Sequence, residues 1–142
     1  MMFKSKLATF WGAIILAGTS FSGQYIPTVC PSSGLIQAER LTMSEEIMDG
    51  LYVIYNNLNH YDTPANWIFI LGPIRAESDL IALEEGNRIL ATLTGNPTPQ
   101  EVEEDSWLCH YETGNPNLTA FAIQVDGMIS PLKINHYLRK IR

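Results

Sequence analysis

The sequence predicts an α+β domain: a mostly antiparallel five-stranded sheet, built as three strands, one long helix and two strands, with a short N-terminal helix. Three observations predict it. Asp49-Gly50 stands between two segments rich in apolar residues, a strong short-range hairpin signal. A stretch opening at Ser78 repeats apolar residues at helical spacing until Gly95 and Pro97. Gly114-Asn115-Pro116-Asn117 separates two further apolar runs. Strands grouped on either side of one helix describe an α+β arrangement rather than alternating βα units.

The elements follow in chain order. Pro31 and Ser32 stand where a helix can begin, and Ser33 to Ala38 carry one or two turns. From Glu39, Leu41, Met43 and Ile47 fall on odd positions among polar neighbours, which is strand texture, until Asp49-Gly50 reverses the chain. The return strand is Leu51 to Leu58, rich in the Tyr, Val and Ile that strands favour. Asn59 to Ala65 is polar loop, Asn66 to Leu71 a third strand, and Gly72-Pro73 its end. In the long helix Ser78 caps, Asp79 suits the positive end, and Leu80, Leu83, Ile89, Leu90 and Leu93 supply the apolar stripe. Gly86 is expected to weaken that helix by about 1 kcal/mol relative to alanine. Asn96 to Asp105, acidic and proline-containing, reads as a surface loop; Trp107 to Thr113 and Leu118 to Val125 complete the sheet.

Leu51 to Tyr55, Trp67 to Leu71 and Leu118 to Val125 are apolar at odd and even positions alike, so both faces of the sheet centre call for cover. One long helix covers one face. The other is left to the N-terminal turn tethered through Cys30, the C-terminal segment Met128 to Tyr137, or a second molecule, including a homodimer formed through the sheet face.

The chain's beginning has the grammar of export. Lys4 and Lys6 form a positive start, Leu7 to Ala17 is uncharged, and small residues follow to Ser22, after which cleavage is expected. The apolar run is shorter than a membrane span requires, so no transmembrane anchor is expected after cleavage. The organisation is therefore signal peptide 1–22, flexible leader 23–29, a single domain 30–128 and a basic tail 129–142. Without Lys4 and Lys6, the nine basic side chains reduce to Arg40, Arg75, Arg88, Lys133, Arg139, Lys140 and Arg142, against fifteen acidic ones. That balance disfavours nucleic acid as a partner. Two cysteines in a chain bound for an oxidising compartment most simply pair, Cys30 with Cys109.

Reactive chemistry is hard to assemble. Cys109 adjoins His110, but neighbours on a strand point to opposite faces, and a disulfide leaves no thiolate. His60, Asp62, His110, Glu112 and His136 include ligand types without ligand spacing, so no metal is expected. Glu101, Glu103, Glu104 and Asp105 lack the turn that arranges calcium ligands. No cofactor motif and no catalytic residue stand out. Asn117-Leu118-Thr119 matches a glycosylation sequon, a frequent chance pattern. Among the aromatic residues, Tyr61 and Trp107, at loop and strand edges, are the candidate binding surface.

Cys30-Pro31-Ser32-Ser33, the Asp49-Gly50 hairpin, Asp62-Thr63 with Trp67 and Phe69, and Trp107-Leu108-Cys109-His110-Tyr111 together resemble a family of small exported proteins of uncharacterised function from Gram-negative intracellular pathogens. The resemblance reaches to about Val125. It implies an exported α+β protein, released through a type II secretion route, and carries over no catalytic residue.

The functional expectation is a periplasmic or secreted protein that binds a protein or other macromolecule, virulence-associated or inhibitor-like. A small carboxylate-dependent hydrolase and a structural envelope protein are the alternatives.

Overall fold

The computed structural model describes residues 26–103 and 106–125. The segments read as signal peptide and as basic tail lie outside the described residues.

Helix α1 (Ser33–Glu39) starts where Ser32 Oγ accepts a hydrogen bond from Leu35 N at 3.2 Å. Strands β1 (Met43–Met48) and β2 (Leu51–Tyr55) form the hairpin across Asp49-Gly50, with Gly50 at φ 77°, a left-handed value that suits glycine. Strand β3 (Trp67–Arg75) returns beside β2. Helix α2 (Asp79–Leu90) follows, then β4 (Gln100–Glu103), β5 (Ser106–Tyr111) and β6 (Thr119–Gln124). The strands form one sheet in the order β1-β2-β3-β6-β5-β4, antiparallel at every pairing. Two three-stranded meanders thus meet along β3 and β6, and α2 carries the chain from the centre of the sheet to its far edge.

The α+β class holds, but the sheet has six strands rather than five. The additional strand, β4, lies in the stretch read as acidic loop and pairs Gln100 with Leu108, Glu101 with Trp107 and Glu103 with Ser106. As an edge strand it needs little apolar content, and charged side chains there discourage further pairing. Only Val102 packs inward, at the rim of the sheet. Strand β3 also runs past Gly72-Pro73 instead of ending there. Tyr52 opposes Ile74 and Ile54 opposes Leu71, so an extra residue bulges from β3, and Pro73 sits in that bulge, where no ladder hydrogen bond is asked of it.

The front face of the sheet carries Tyr52, Ile54, Trp67, Phe69, Leu71, Cys109 and Tyr111, and packs against Ile36 of α1 and Ala82, Ile89 and Leu90 of α2. The opposite face carries Val53, Ile68, Ile70, Leu108, Phe121 and Ile123. Side-chain amides lock the front layer together. Gln37 Nε2 donates to the carbonyls of Leu90, Ala91 and Leu93 at 3.1, 3.2 and 3.3 Å, satisfying groups that the end of α2 leaves open. Asn87 Oδ1 accepts from Leu41 N, and its Nδ2 donates to Leu41 O, both at 2.9 Å.

Gly86 has a packing role that helix propensity conceals. It is where α2 lies closest to β2: a Cβ at this position would stand 3.0 Å from Ile54 Cγ1 and 3.3 Å from Ile54 Cβ. Ile54 is wholly buried and branched, so it has little room to yield. Gly86→Ala is therefore expected to destabilise by about 1 kcal/mol, the overpacking cost exceeding the helix gain. Urea unfolding checks this; a rise in midpoint would show that the Ile54 contact gives way.

Candidate functional site

Three segments converge on the surface beside α1: the chain leading into the helix, the helix itself and the connection between β2 and β3. Cys30 and Cys109 are joined, with sulfurs 2.02 Å and Cα atoms 5.8 Å apart, which ties the leader to β5. Next to the bridge the Tyr111 hydroxyl donates to Pro31 O, and the Tyr111 ring meets Phe69 edge-on at 5.9 Å between centroids. Pro27, Cys30 and Pro31 are buried in this way. Before, between and after them, Ile26 is 64% exposed, Val29 53% and Leu35 41%.

The connection from Asn56 to Asn66 is irregular but densely bonded. Asn56 is buried; its Oδ1 accepts from Thr42 N and Thr42 Oγ1 at 2.9 and 2.8 Å, and its Nδ2 donates to Arg40 O. Asn59 and Trp67 exchange two backbone hydrogen bonds of 2.9 Å. Asn59 Oδ1 accepts from Tyr61 N at 2.8 Å, an Asx turn, while its Nδ2 donates to Glu39 Oε2 at 2.7 Å and so joins the loop to α1. Thr63 Oγ1 accepts from Trp67 Nε1 at 2.9 Å. Within this frame Tyr61 and Asp62 take left-handed backbone angles, φ 47° and 62°. Such angles cost about 1–2 kcal/mol at each L-residue and persist only where the surroundings over-determine them. His60, Asp62 and Pro64 stand exposed on the result.

Tyr61, expected on the binding surface, is 4% exposed and belongs to the front core. The consecutive left-handed residues turn its ring inward and leave Asp62 outside. Trp107 is half-buried on β5, opposite Glu101 at the sheet's edge, and belongs to neither core cluster. The exposed apolar side chains of the leader and α1 are what sequence reasoning missed. Adjacent Leu35 and Ile36 on a two-turn helix were the available signal, because only one of two neighbours can face the core; here it is Ile36.

Burial pushes the phenol pKa of both Tyr61 and Tyr111 up, reinforced for Tyr61 by the nearby Glu39 carboxylate. Among the described residues the Tyr61 hydroxyl meets no acceptor at hydrogen-bonding geometry, although the Glu39 carboxylate lies near enough to act on it. Because the folded values lie above the ordinary phenol value near 10, their stabilising contribution is complete below about pH 10 and is lost as pH rises beyond it. There the unfolded chain releases protons that the folded chain retains. Stability is expected to fall by up to about 1.4 kcal/mol per pH unit per tyrosine. Denaturant midpoints between pH 9 and 12, with phenolate absorbance followed in parallel, check this. The Tyr61→Phe/Tyr111→Phe double variant should flatten the slope.

Other chemistry is sparse. Among the described residues no three His, Cys, Asp or Glu side chains are grouped to hold a metal ion. Cys30 and Cys109 are both consumed by the disulfide. The Arg88 guanidinium, hydrogen-bonded to Glu85, holds that carboxyl below the usual range, the opposite of the shift a general acid needs. A depression of about 310 Å³ over the β5–β6 turn is lined by His110, Glu112 and Pro116, among others, a volume at the small end for ligand sites. No described helix is long and apolar enough to cross a membrane.

These features define a small disulfide-stapled α+β domain with exposed apolar side chains on its leader and α1 and exposed polar groups on the β2–β3 connection. Over residues 29–137 the chain matches the family described as a domain of unknown function (DUF4949), and it belongs to that family. Comparison with curated proteins and with solved structures returns no match.

Proposed function

We propose that this chain is an exported protein, periplasmic or secreted, that binds another macromolecule through the surface formed by the leader, α1 and the Asn56–Asn66 connection. The observation that carries the reading is the exposure of Ile26, Val29 and Leu35 on backbone fixed by the disulfide and by the Tyr111–Pro31 hydrogen bond. Apolar side chains held rigidly in water lose little conformational freedom on binding, so their burial translates into affinity. His60 and Asp62 supply a polar rim of the kind interfaces carry. Export is supported by the charged start, short apolar run and small residues of the first 22 positions, and by a disulfide, which persists in oxidising compartments.

The test is a charge placed in the patch. Val29→Asp/Leu35→Asp alters only exposed positions, so unfolding should shift by less than about 0.5 kcal/mol. Cross-linking in the producing cells' envelope and medium, quantified against the unaltered protein, should show about tenfold depletion of a captured partner. Identical capture by both proteins would overturn the reading.

A further inference from the structure

The six large apolar side chains that stand exposed among the described residues fall into two sets. Ile26, Val29 and Leu35 lie on the leader and α1, which Gln37 ties to the C-terminal end of α2. Met48, 62% exposed, Leu80, 68%, and Ile81, 45%, lie at the N-terminal end of that helix. The β1–β2 turn brings Met48 there: Met48 opposes Leu51, Leu51 opposes Arg75, and Ala76 N donates to Gly50 O at 3.0 Å. The twelve residues of α2 set the two ends about 18 Å apart, so the second set is a surface of its own.

Charge of one sign surrounds it. Glu46, Asp49, Glu77 and Asp79 are exposed at this end, and among the described residues none of them is in an ion pair. The pKa of the Tyr52 phenol is raised by desolvation and then by Glu46, Asp79 and Asp49, so the charges of β1, the turn and α2 converge on one spot. Arg75 rests against the turn, its Nη1 3.7 Å from where a Gly50 Cβ would stand. Beside Ile81 a depression of about 240 Å³ opens between α2 and the β5–β6 turn, walled by Ile74, Ile81, Ile89 and Leu118, with Arg75 and Glu85 among its polar members. Small-molecule sites hold about 300–1,000 Å³, so this one suits a single aliphatic side chain.

We propose that this end of the domain is a docking surface for a cationic segment of another protein, which seats one aliphatic side chain in the depression and sets its basic residues against Glu46, Asp49, Glu77 and Asp79. Apolar anchors within a charged rim are the anatomy of a specific interface. The sign of the rim selects the occupant. A second copy presenting the same end would set free carboxylates against free carboxylates, and anionic lipid or nucleic acid is repelled in the same way. A small apolar molecule in the depression would leave Met48 and Leu80 in water.

Fluorescence anisotropy on the full mature chain tests this with three labelled peptides: lysines around one leucine, the same peptide with alanine for leucine, and the same peptide with glutamate for every lysine. The first should bind about tenfold more tightly than either of the others, and more weakly as salt is raised. Leu80→Gln/Ile81→Gln removes the anchors at constant charge on exposed helical positions, and should weaken binding about tenfold. Asp49→Asn/Asp79→Asn keeps a hairpin turn, since Asn-Gly serves as Asp-Gly does, and should weaken it several-fold. Val29→Gln/Leu35→Gln, at the far end of α2, should leave it unchanged. Equal binding of the lysine and glutamate peptides, or of the leucine and alanine peptides, would overturn the proposal. Full affinity in the Leu80/Ile81 variant would do the same, as would loss of affinity in the Val29/Leu35 variant, which moves the site to the leader.

Discussion

Replacing Cys30 and Cys109 together by alanine, or reducing them, is expected to lower the unfolding free energy by about 4 kcal/mol. The bond spans a sequence separation of 79 residues, and opening so long a loop releases considerable freedom to the unfolded chain. For a domain of this size that corresponds to a fall of about 20 °C in thermal midpoint. The loss should have a local signature. Without the bridge, Pro31 is held chiefly by the Tyr111 hydroxyl, and α1 by Ile36 and the Gln37 amide. Amide exchange in 30–39 should therefore quicken before that in β3 or β6. Urea curves with and without reductant provide the measurement. Coincident midpoints would mean that the crosslink does not constrain the unfolded chain.

Trp67→Ala is expected to cost about 3–5 kcal/mol. The indole is fully buried in the front core and its Nε1 donates to Thr63 Oγ1. Its backbone closes the Asn59 bridge on one side and pairs with Gln124 on the other. Truncation thus opens a large cavity and removes one of the bonds on the Thr63 hydroxyl, which also donates to His60 O across the Tyr61-Asp62 turn. Trp67→Phe restores most of the volume but not the hydrogen bond, and should cost about 1–2 kcal/mol. Denaturant unfolding ranks the two, and amide exchange across 57–66 reports the turn. A loss below about 1 kcal/mol for the alanine variant would show that the connection is held without the indole.

Local signals marked most of the architecture. Ser32 and Ser78 cap helices where capping chemistry predicts, and Asp49-Gly50 turns the β1–β2 hairpin. The misplaced features share a cause: each depends on a neighbour distant in sequence. Strand β4 exists because β5 offers it an edge, while Gln100, Glu101 and Glu103 advertise solvent. Gly72-Pro73 has the composition of a strand end, yet β2 accepts it as a bulge. Gly86 resembles a helix defect until Ile54 is set against it. Tyr61 follows the same rule. Nothing adjacent in sequence says that Asn59, Thr63 and Trp67 will hold two left-handed residues and turn the ring into the core. The apolar character of Ile26, Val29 and Leu35 was plain, but their exposure depends on which neighbours the disulfide, Pro27 and Ile36 draw inward.

The disulfide also joins the two meanders, since Cys30 precedes the first and Cys109 lies within the second. Between α2 and β4, beyond the Thr94–Glu112 bridge, Gly95, Asn96 and Thr98 are exposed, which makes that stretch the natural place for a protease to cut. A cut there would part the backbone without parting the molecule. The halves would stay covalently linked and paired along β3 and β6, migrating as one species until reductant separates them.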